Sequence, residues 1–358
     1  MRFSTKIFRK NVTSHRPGKS DKNPIQGMGL RPRKSARIIG TGSYLPEKVL
    51  TNSDLEKMVD TSDEWITTRT GIKERRIASP EEPTSSLATE AARRAIEDAG
   101  IAAEEIQLII MATFTGDVLM PATACLVQKN LGATRAAAFD LSAACTGFIY
   151  GLSVAKQFVL SGFYDTVLVV AAEKLSCVTD WTDRNTCVLF GDGAGAAVVS
   201  SQGEGPQIIG EYLASDGSIY ELLILPGGGS LHPPTHQTVD QGLHFLKMSG
   251  REVFKHAVTC MVDGAQKLIA QHNLSPEDIR LLVPHQANKR IISEVGKRLG
   301  IPAERIYVNI ERYGNMSAAT TSVGMDEAFR SNQFNPGDKI LLVAFGGGFT
   351  WGSVLLEW

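Results

Sequence analysis

Apolar residues fall along the chain in two alternating rhythms. Short unbroken runs at 106–111 and 166–171 read as strands buried on both faces. Between such runs, apolar positions recur every three or four residues. Residues 85–99 place Leu87, Ala91 and Ile96 on one helical face and end at Gly100. Residues 248–272 turn Val253, Phe254, Ala257, Met261 and Leu268 inward, with Arg251, Lys255 and Lys267 outward. A first strand is expected at 36–42 and another at 186–190. GDGAGAAVV at 191–199 looks like a phosphate loop but lacks the Lys-Ser/Thr ending, so it reads as a tight turn entering a strand. Residues 204–244, rich in Gly, Pro and His, predict a long surface excursion.

The segment 136–159, AAAFDLSAACTGFIYGLSVAKQFV, organises the rest. An apolar run ends at Phe139, Asp140 and Ser142 break it, and a helix with few charges follows. Strand, tight turn and buried helix place Cys145 in the helix's first turn. Free backbone N–H groups there favour a thiolate, and the turn can present sulfur to a cavity. Taken alone, the same cysteine also fits a small core residue.

The pattern repeats. IQLII at 106–110 matches IRLLV at 279–283, and DTVLVV at 165–170 matches DKILLV at 338–343, each 173 residues on. This predicts two similar βα halves, 37–205 and 206–358, with parallel-rich sheets and one helix of each half sandwiched between them. The same offset sets Cys145 against Ala318, so Asn315 lies just before the second half's equivalent helix. His285 directly follows a buried strand, and its sequel QAN is polar where a helix should start. A pseudo-twofold arrangement lets Cys145, His285 and Asn315 converge.

Charge changes the picture at one end. Residues 1–37 hold eleven Lys and Arg against one acid, Asp21, while the 358-residue chain has a net charge of −1. The basic segment 1–36 reads as a disordered extension, with organelle targeting or a nucleic-acid-binding arm as alternatives. The remainder has no basic companion surface in sequence, which argues against a nucleic-acid partner. Five cysteines without a CxxC pair argue against a disulfide scaffold, and no apolar run is long enough for a membrane span. Trp65, Arg69 and Thr70 adjoin a glycine turn and the basic Lys73, Arg75 and Arg76. They suit either a stacking clamp for a planar phosphorylated ligand or a buried indole beside a surface arginine.

SDEWITTRTGI, DLSAACTGF, FGDGAGA, VPHQAN, RYGNMSAAT and GGGFTWG, in this order through residues 37–358, resemble the thiolase superfamily, specifically β-ketoacyl-acyl carrier protein synthase III. The resemblance implies a thiolase-like α/β fold of two duplicated βα halves in an α-β-α-β-α core. It implies decarboxylative condensation of acetyl-CoA or another short acyl-CoA with malonyl-acyl carrier protein, initiating type II fatty-acid synthesis. Cys145 is then the acylated nucleophile, His285 and Asn315 the decarboxylative pair, and the backbones of Cys145 and Gly347 the oxyanion hole. Trp65, Arg69, Thr70, Arg184 and Asn288 match coenzyme A-contacting positions.

The resemblance further implies a cytoplasmic homodimer with acyl-CoA and an acyl carrier protein as partners, and no cofactor or metal. Lys247, Arg251, Lys255, Lys289 and Arg290 are expected to form a positive patch for the acidic carrier. Met120 stands where a common bacterial form has Phe, at a position reaching toward the partner's primer pocket. This leaves acetyl specificity open and admits an aromatic, branched or medium-chain primer. Iterative extension of the plant polyketide synthase type and a catalytically inactive scaffold are the remaining alternatives.

Overall fold

A strand with no polar face needs a cover on each side, and that requirement shapes this molecule. A computed structural model describes residues 35–358. Its main sheet contains β1 (Arg37–Tyr44), β2 (Leu108–Ala112), β3 (Ala137–Leu141), β4 (Thr166–Lys174), β5 (Asp192–Ser200), β6 (Gln207–Ser215), β7 (Ile279–Pro284), β8 (Lys339–Gly346) and β9 (Thr350–Glu357). Their spatial order is β7-β8-β9-β6-β1-β5-β4-β2-β3.

The sheet is mixed, which corrects the expectation of two parallel-rich sheets. β2 runs parallel to β3 and β4, and β7 to β8. The pairs β4–β5, β5–β1, β8–β9 and β9–β6 are antiparallel. Only three residues join β8 to β9, too few for the crossover that a parallel pair needs. Between β1 and β6 lies a seam with one paired position, Arg37 opposite Gln207.

Seven helices bear on the site: α1 (Asp63–Thr70), α2 (Thr84–Asp98), α3 (Thr123–Leu131), α4 (Gly147–Ser161), α5 (Gly250–Gln271), α6 (Lys289–Leu299) and α7 (Ala319–Ser331). Helices α4 and α7 each pack on strands from both sides of the seam. Side chains alternate accordingly. Leu108, Ile110, Val167 and Val169 meet Val283, Ile340 and Leu342 around α4. The intervening Ile109, Met111, Leu168 and Val170 face α2 and α3, and Leu282, Leu341 and Val343 face α5. Phe148, Ile149 and Leu152 of α4 are fully buried, each stabilising the fold by roughly 1.5–3 kcal/mol.

Two expectations need correction. Residues 186–189 are turns, with Leu189 N–H donating to Thr186 O at 3.0 Å, Phe190 makes an isolated parallel bridge to Asn315, and the strand starts at Asp192. Val188 and Phe190 are buried as loop side chains, so their apolar character imitated a strand. The excursion at 204–244 also opens with β6, whose alternating burial is irregular beyond Gly210. The basic segment 1–36 lies outside the described residues, apart from its last two positions.

Candidate active site

The turn carrying Cys145 is built by close backbone approach. After β3, Ala144 adopts a left-handed φ of 45°, and a short 3-10 turn, Ala144–Thr146, leads into α4. Gly346 lies beneath it, where any side chain would strike the Cys145 backbone. Thr350 fastens the turn: its hydroxyl donates to Ala143 O at 3.0 Å, and its carbonyl accepts from the Thr146 hydroxyl at 3.0 Å.

Asn315 is oriented by its own chain. Its Oδ1 accepts the Ser317 backbone N–H at 2.8 Å, which directs the Nδ2 donors away from that turn. Ser317 is buried with a left-handed φ of 50°, a costly backbone for a serine. Asn315 N–H and O bond Leu189 O and Gly191 N–H, fixing the main chain from both sides.

His285 leaves the end of β7 with its N–H donating to Val343 O at 2.8 Å. Its Nδ1 lies 2.5 Å from the Thr320 hydroxyl, at the start of α7. Burial pushes the imidazole down to about 3, so the ring is neutral at physiological pH.

Cys145, His285 and Asn315 line one cavity of about 380 Å³, together with Ser317 and Gly347. Phe114, Leu189, Leu246 and Phe345 give it apolar walls. Burial pushes the Cys145 thiol up to about 12, the Ser317 hydroxyl beside it pulls the other way, and the Glu173 carboxylate adds to the rise. Burial thus works against the thiolate that the helix start was expected to favour. Glu173 accepts hydrogen bonds from the Thr113 hydroxyl and the Thr115 N–H, both at 3.1 Å, and so shapes the turn that sets Phe114 in the wall.

A path leads outward from the sulfur. Asn288 lines the cavity, caps α6 and donates to Arg69 O at 3.0 Å. The Arg69 and Arg184 guanidinium groups lie 4.5 and 4.6 Å from the Trp65 ring centre. Arg184 also pairs with Asp60 at 3.2 Å. Thr70 is buried, its hydroxyl donating to Ile66 O and accepting from Ile72 N–H.

Of the basic residues, Lys289 and Arg290 line a groove with Thr67 and Lys297, the last not anticipated from sequence. Arg290 lies 5.6 Å from the ring of Phe254, a cavity residue. Arg251 is exposed nearby on α5, Lys255 pairs with Glu252 at 3.1 Å, and Lys247 stands 4.0 Å from Asp180. Met120 is 85% exposed, beside Leu119 at 90%, and does not line this chain's own cavity.

Sequence reasoning passed over Ser317, Thr320, Phe114 and Glu173. The first two stood inside the quoted motif RYGNMSAAT, but nothing in their side chains signals a left-handed backbone or a histidine partner.

The 3-oxoacyl-[acyl-carrier-protein (ACP)] synthase III family matches residues 139–217, and its C-terminal family matches 269–358. The chain is 56% identical over 324 residues to the β-ketoacyl-[acyl-carrier-protein] synthase III of Caldanaerobacter subterraneus subsp. tengcongensis, covering 90% of this chain and 98% of that one. The crystal structure of 3-oxoacyl-[acyl-carrier-protein] synthase III from Aquifex aeolicus VF5 superposes with a TM-score of 0.83 at 49% identity, over 90% of this chain and all of that one. The priming β-ketosynthase of the R1128 polyketide biosynthetic pathway gives 0.84 at 37% identity, over 92% and 98%.

Proposed function

The chain belongs to the β-ketoacyl-acyl carrier protein synthase III family, and from that premise we propose how its residues divide the chemistry. The reaction is the decarboxylative Claisen condensation that initiates fatty-acid synthesis. An acyl-CoA primer and malonyl-acyl carrier protein give a 3-oxoacyl-acyl carrier protein, CoA and CO₂, by thioester chemistry that takes no added cofactor.

Cys145 sulfur attacks the primer's carbonyl, the carbon–sulfur bond to CoA breaks, and the thiol proton leaves with CoA. The malonyl group then loses CO₂, leaving the electron pair on an enolate. Nε2–H of His285 and Nδ2–H of Asn315 donate to the enolate oxygen. The enolate carbon attacks the acyl group on Cys145, while N–H groups of Cys145 and Gly347 hold the tetrahedral oxyanion. Collapse releases the product and a thiolate, which takes up a proton. The observation that carries this reading is the meeting of sulfur, imidazole and carboxamide in one apolar cavity.

The indole of Trp65 with Arg69 and Arg184 takes the nucleotide end of CoA, and Asn288 the arm leading inward; Thr70 shapes the helix end beneath them. Lys247, Arg251, Lys255, Lys289 and Arg290 receive the carrier protein, supported by the basic groove that reaches the cavity residue Phe254. The protein acts as a cytoplasmic homodimer. Its interface uses β3, which ends the sheet, and the exposed Leu119–Met120 loop, which reaches the partner's primer pocket.

The halves 37–205 and 206–358 are duplicates around shared central helices, giving five layers. Three observations support this reading. The strand orders β1-β5-β4-β2 and β6-β9-β8-β7 mirror each other across the seam, with the same parallel and antiparallel pairings. Helices α4 and α7 each touch both sides. The left-handed Ala144 and Ser317 are also 173 residues apart, the offset of the repeat.

The test is mass spectrometry after incubation with mixed acyl-CoAs and then malonyl-carrier protein. An acyl group on Cys145 that the second substrate removes supports the reading. Full turnover with the acyl group on another cysteine would overturn it.

A further inference from the structure

The Thr320 hydroxyl has one proton, and three polar groups crowd around its oxygen. Gln286 N–H donates to it at 3.2 Å. Ser317 O lies 3.0 Å away and His285 Nδ1 2.5 Å away. A hydroxyl can accept from two donors but donate only once, so its proton goes either to the carbonyl or to the imidazole.

The two choices set opposite states of the ring. With the proton directed at Ser317 O, the imidazole must carry its hydrogen on Nδ1, and a bare Nε2 remains. With the proton directed at Nδ1, the hydrogen of the neutral ring sits on Nε2. The short contact with Nδ1 shows that hydroxyl and ring are bonded in either case. One observation favours the second choice: Ser317 O already accepts the Thr320 backbone N–H at 3.2 Å, so it keeps a donor when the hydroxyl turns away. A buried carbonyl without that bond would compete harder for the proton.

We infer that Thr320 is a positioning residue whose hydroxyl donates to His285 Nδ1, holding the imidazole hydrogen on Nε2. The inference rests on the condensing role of His285, which needs an N–H at the enolate oxygen. The same turn serves both donors. Ser317 N–H turns the Asn315 carboxamide by holding its oxygen, and Thr320 selects the His285 tautomer. Ser317 lines the cavity, whereas Thr320 lies behind the ring and decides which atom its neighbour offers. The Thr320 hydroxyl has no part in acylation of Cys145, because that step draws on no donor from Nε2.

Histidine-selective ¹⁵N labelling of the full chain tests this, with the His285 signals identified by their loss in His285→Gln. In the wild type, Nε2 should be protonated, with Nδ1 an accepting imine nitrogen. In Thr320→Val the Nδ1 signal should move toward that of an unbonded imine. The kcat for condensation should fall by about tenfold or more, given the cost of disturbing one oxyanion donor. Acyl loading of Cys145, followed by mass, should stay within about twofold of the wild-type rate, and Thr320→Ser should restore condensation. A wild-type ring protonated on Nδ1 overturns the inference, and this reading needs no variant to fold. Equal losses in loading and condensation, or an unchanged Nδ1 signal in Thr320→Val, overturn it too. Failure of the condensing role itself shows separately, as a His285→Gln protein that loads Cys145 and still condenses at the wild-type rate.

Discussion

Gly346 passes so close beneath Cys145 that an added Cβ would lie 2.6 Å from the Cys145 nitrogen. The same atom would lie 3.0 Å from the Thr146 nitrogen, so no side-chain rotation relieves the clash. Gly346→Ala should push the nucleophile turn out of place while the cores around it stay packed. Loading of acyl-CoA onto Cys145 should slow by about a hundredfold, the usual cost of a displacement near 1 Å. Loading at the wild-type rate in a folded variant would show that the turn tolerates the shift.

Asn315→Ala should separate the two half-reactions. It removes the carboxamide without touching the sulfur, so loading of Cys145 should persist while decarboxylation drops by about 10²–10³. Release of CO₂ from malonyl-carrier protein measures the loss. Equal decreases in both steps would assign Asn315 to the shape of the turn instead.

Reactivity of Cys145 should follow its raised ionisation range. Below about 12 the thiolate fraction grows with each pH unit. Alkylation of Cys145 in the absence of substrate should therefore rise continuously from pH 6 to pH 10, by roughly tenfold per unit. A plateau near neutrality, followed by mass, would mean that the resting site already holds a thiolate.

Glu173 predicts a stability trend. Burial pushes its carboxyl up to about 7, against the lowering effect of the Thr113 and Thr115 donors. Unfolded, it titrates at about 4.3. Between those values the folded chain keeps a proton that the unfolded chain has lost. Stability therefore falls as pH rises, by up to about 1.4 kcal/mol per unit, and the effect levels off above 7. Glu173→Gln removes this ionisation, so its stability relative to wild type should climb between pH 5 and 7 and then stay level. Urea unfolding at several pH values checks the sign; a constant difference would place the carboxyl's titration outside that window.

Raised salt should weaken the carrier-linked substrate more than acyl-CoA. Lys289 and Arg290 lie in an open groove where counterions screen them. Arg290→Glu should raise KM for malonyl-carrier protein by about tenfold and leave loading from acyl-CoA near wild type. Parallel salt responses of both substrates would remove the carrier from this face.

Much of this molecule could be read from the chain because burial leaves a simple trace. The runs containing Ile109 and Leu341 have no polar face, and α4 carries apolar residues nearly all round, as its position between strands demands. Cys145, His285 and Asn315 could be brought together because each stands at a repeat-related end of a strand or start of a helix. Pairing direction was less legible: β5 and β9 look like any buried strand, and only β9 has a connection, three residues long, short enough to dictate an antiparallel pair. Residues 186–190 misled for a related reason, since Val188 and Phe190 are buried without joining a ladder. Ser317 and Thr320 were hidden because their contribution is a backbone angle and the direction of one proton, neither of which residue identity records.

The seam between β1 and β6 gives turnover a diagnostic meaning. Cys145 belongs to the stretch before that single paired position, and His285 and Asn315, the proposed donors to the enolate, belong to the stretch after it. Regained activity after dilution from denaturant is thus a coincidence signal: it stays silent for either side alone and times the moment when the two have docked in register.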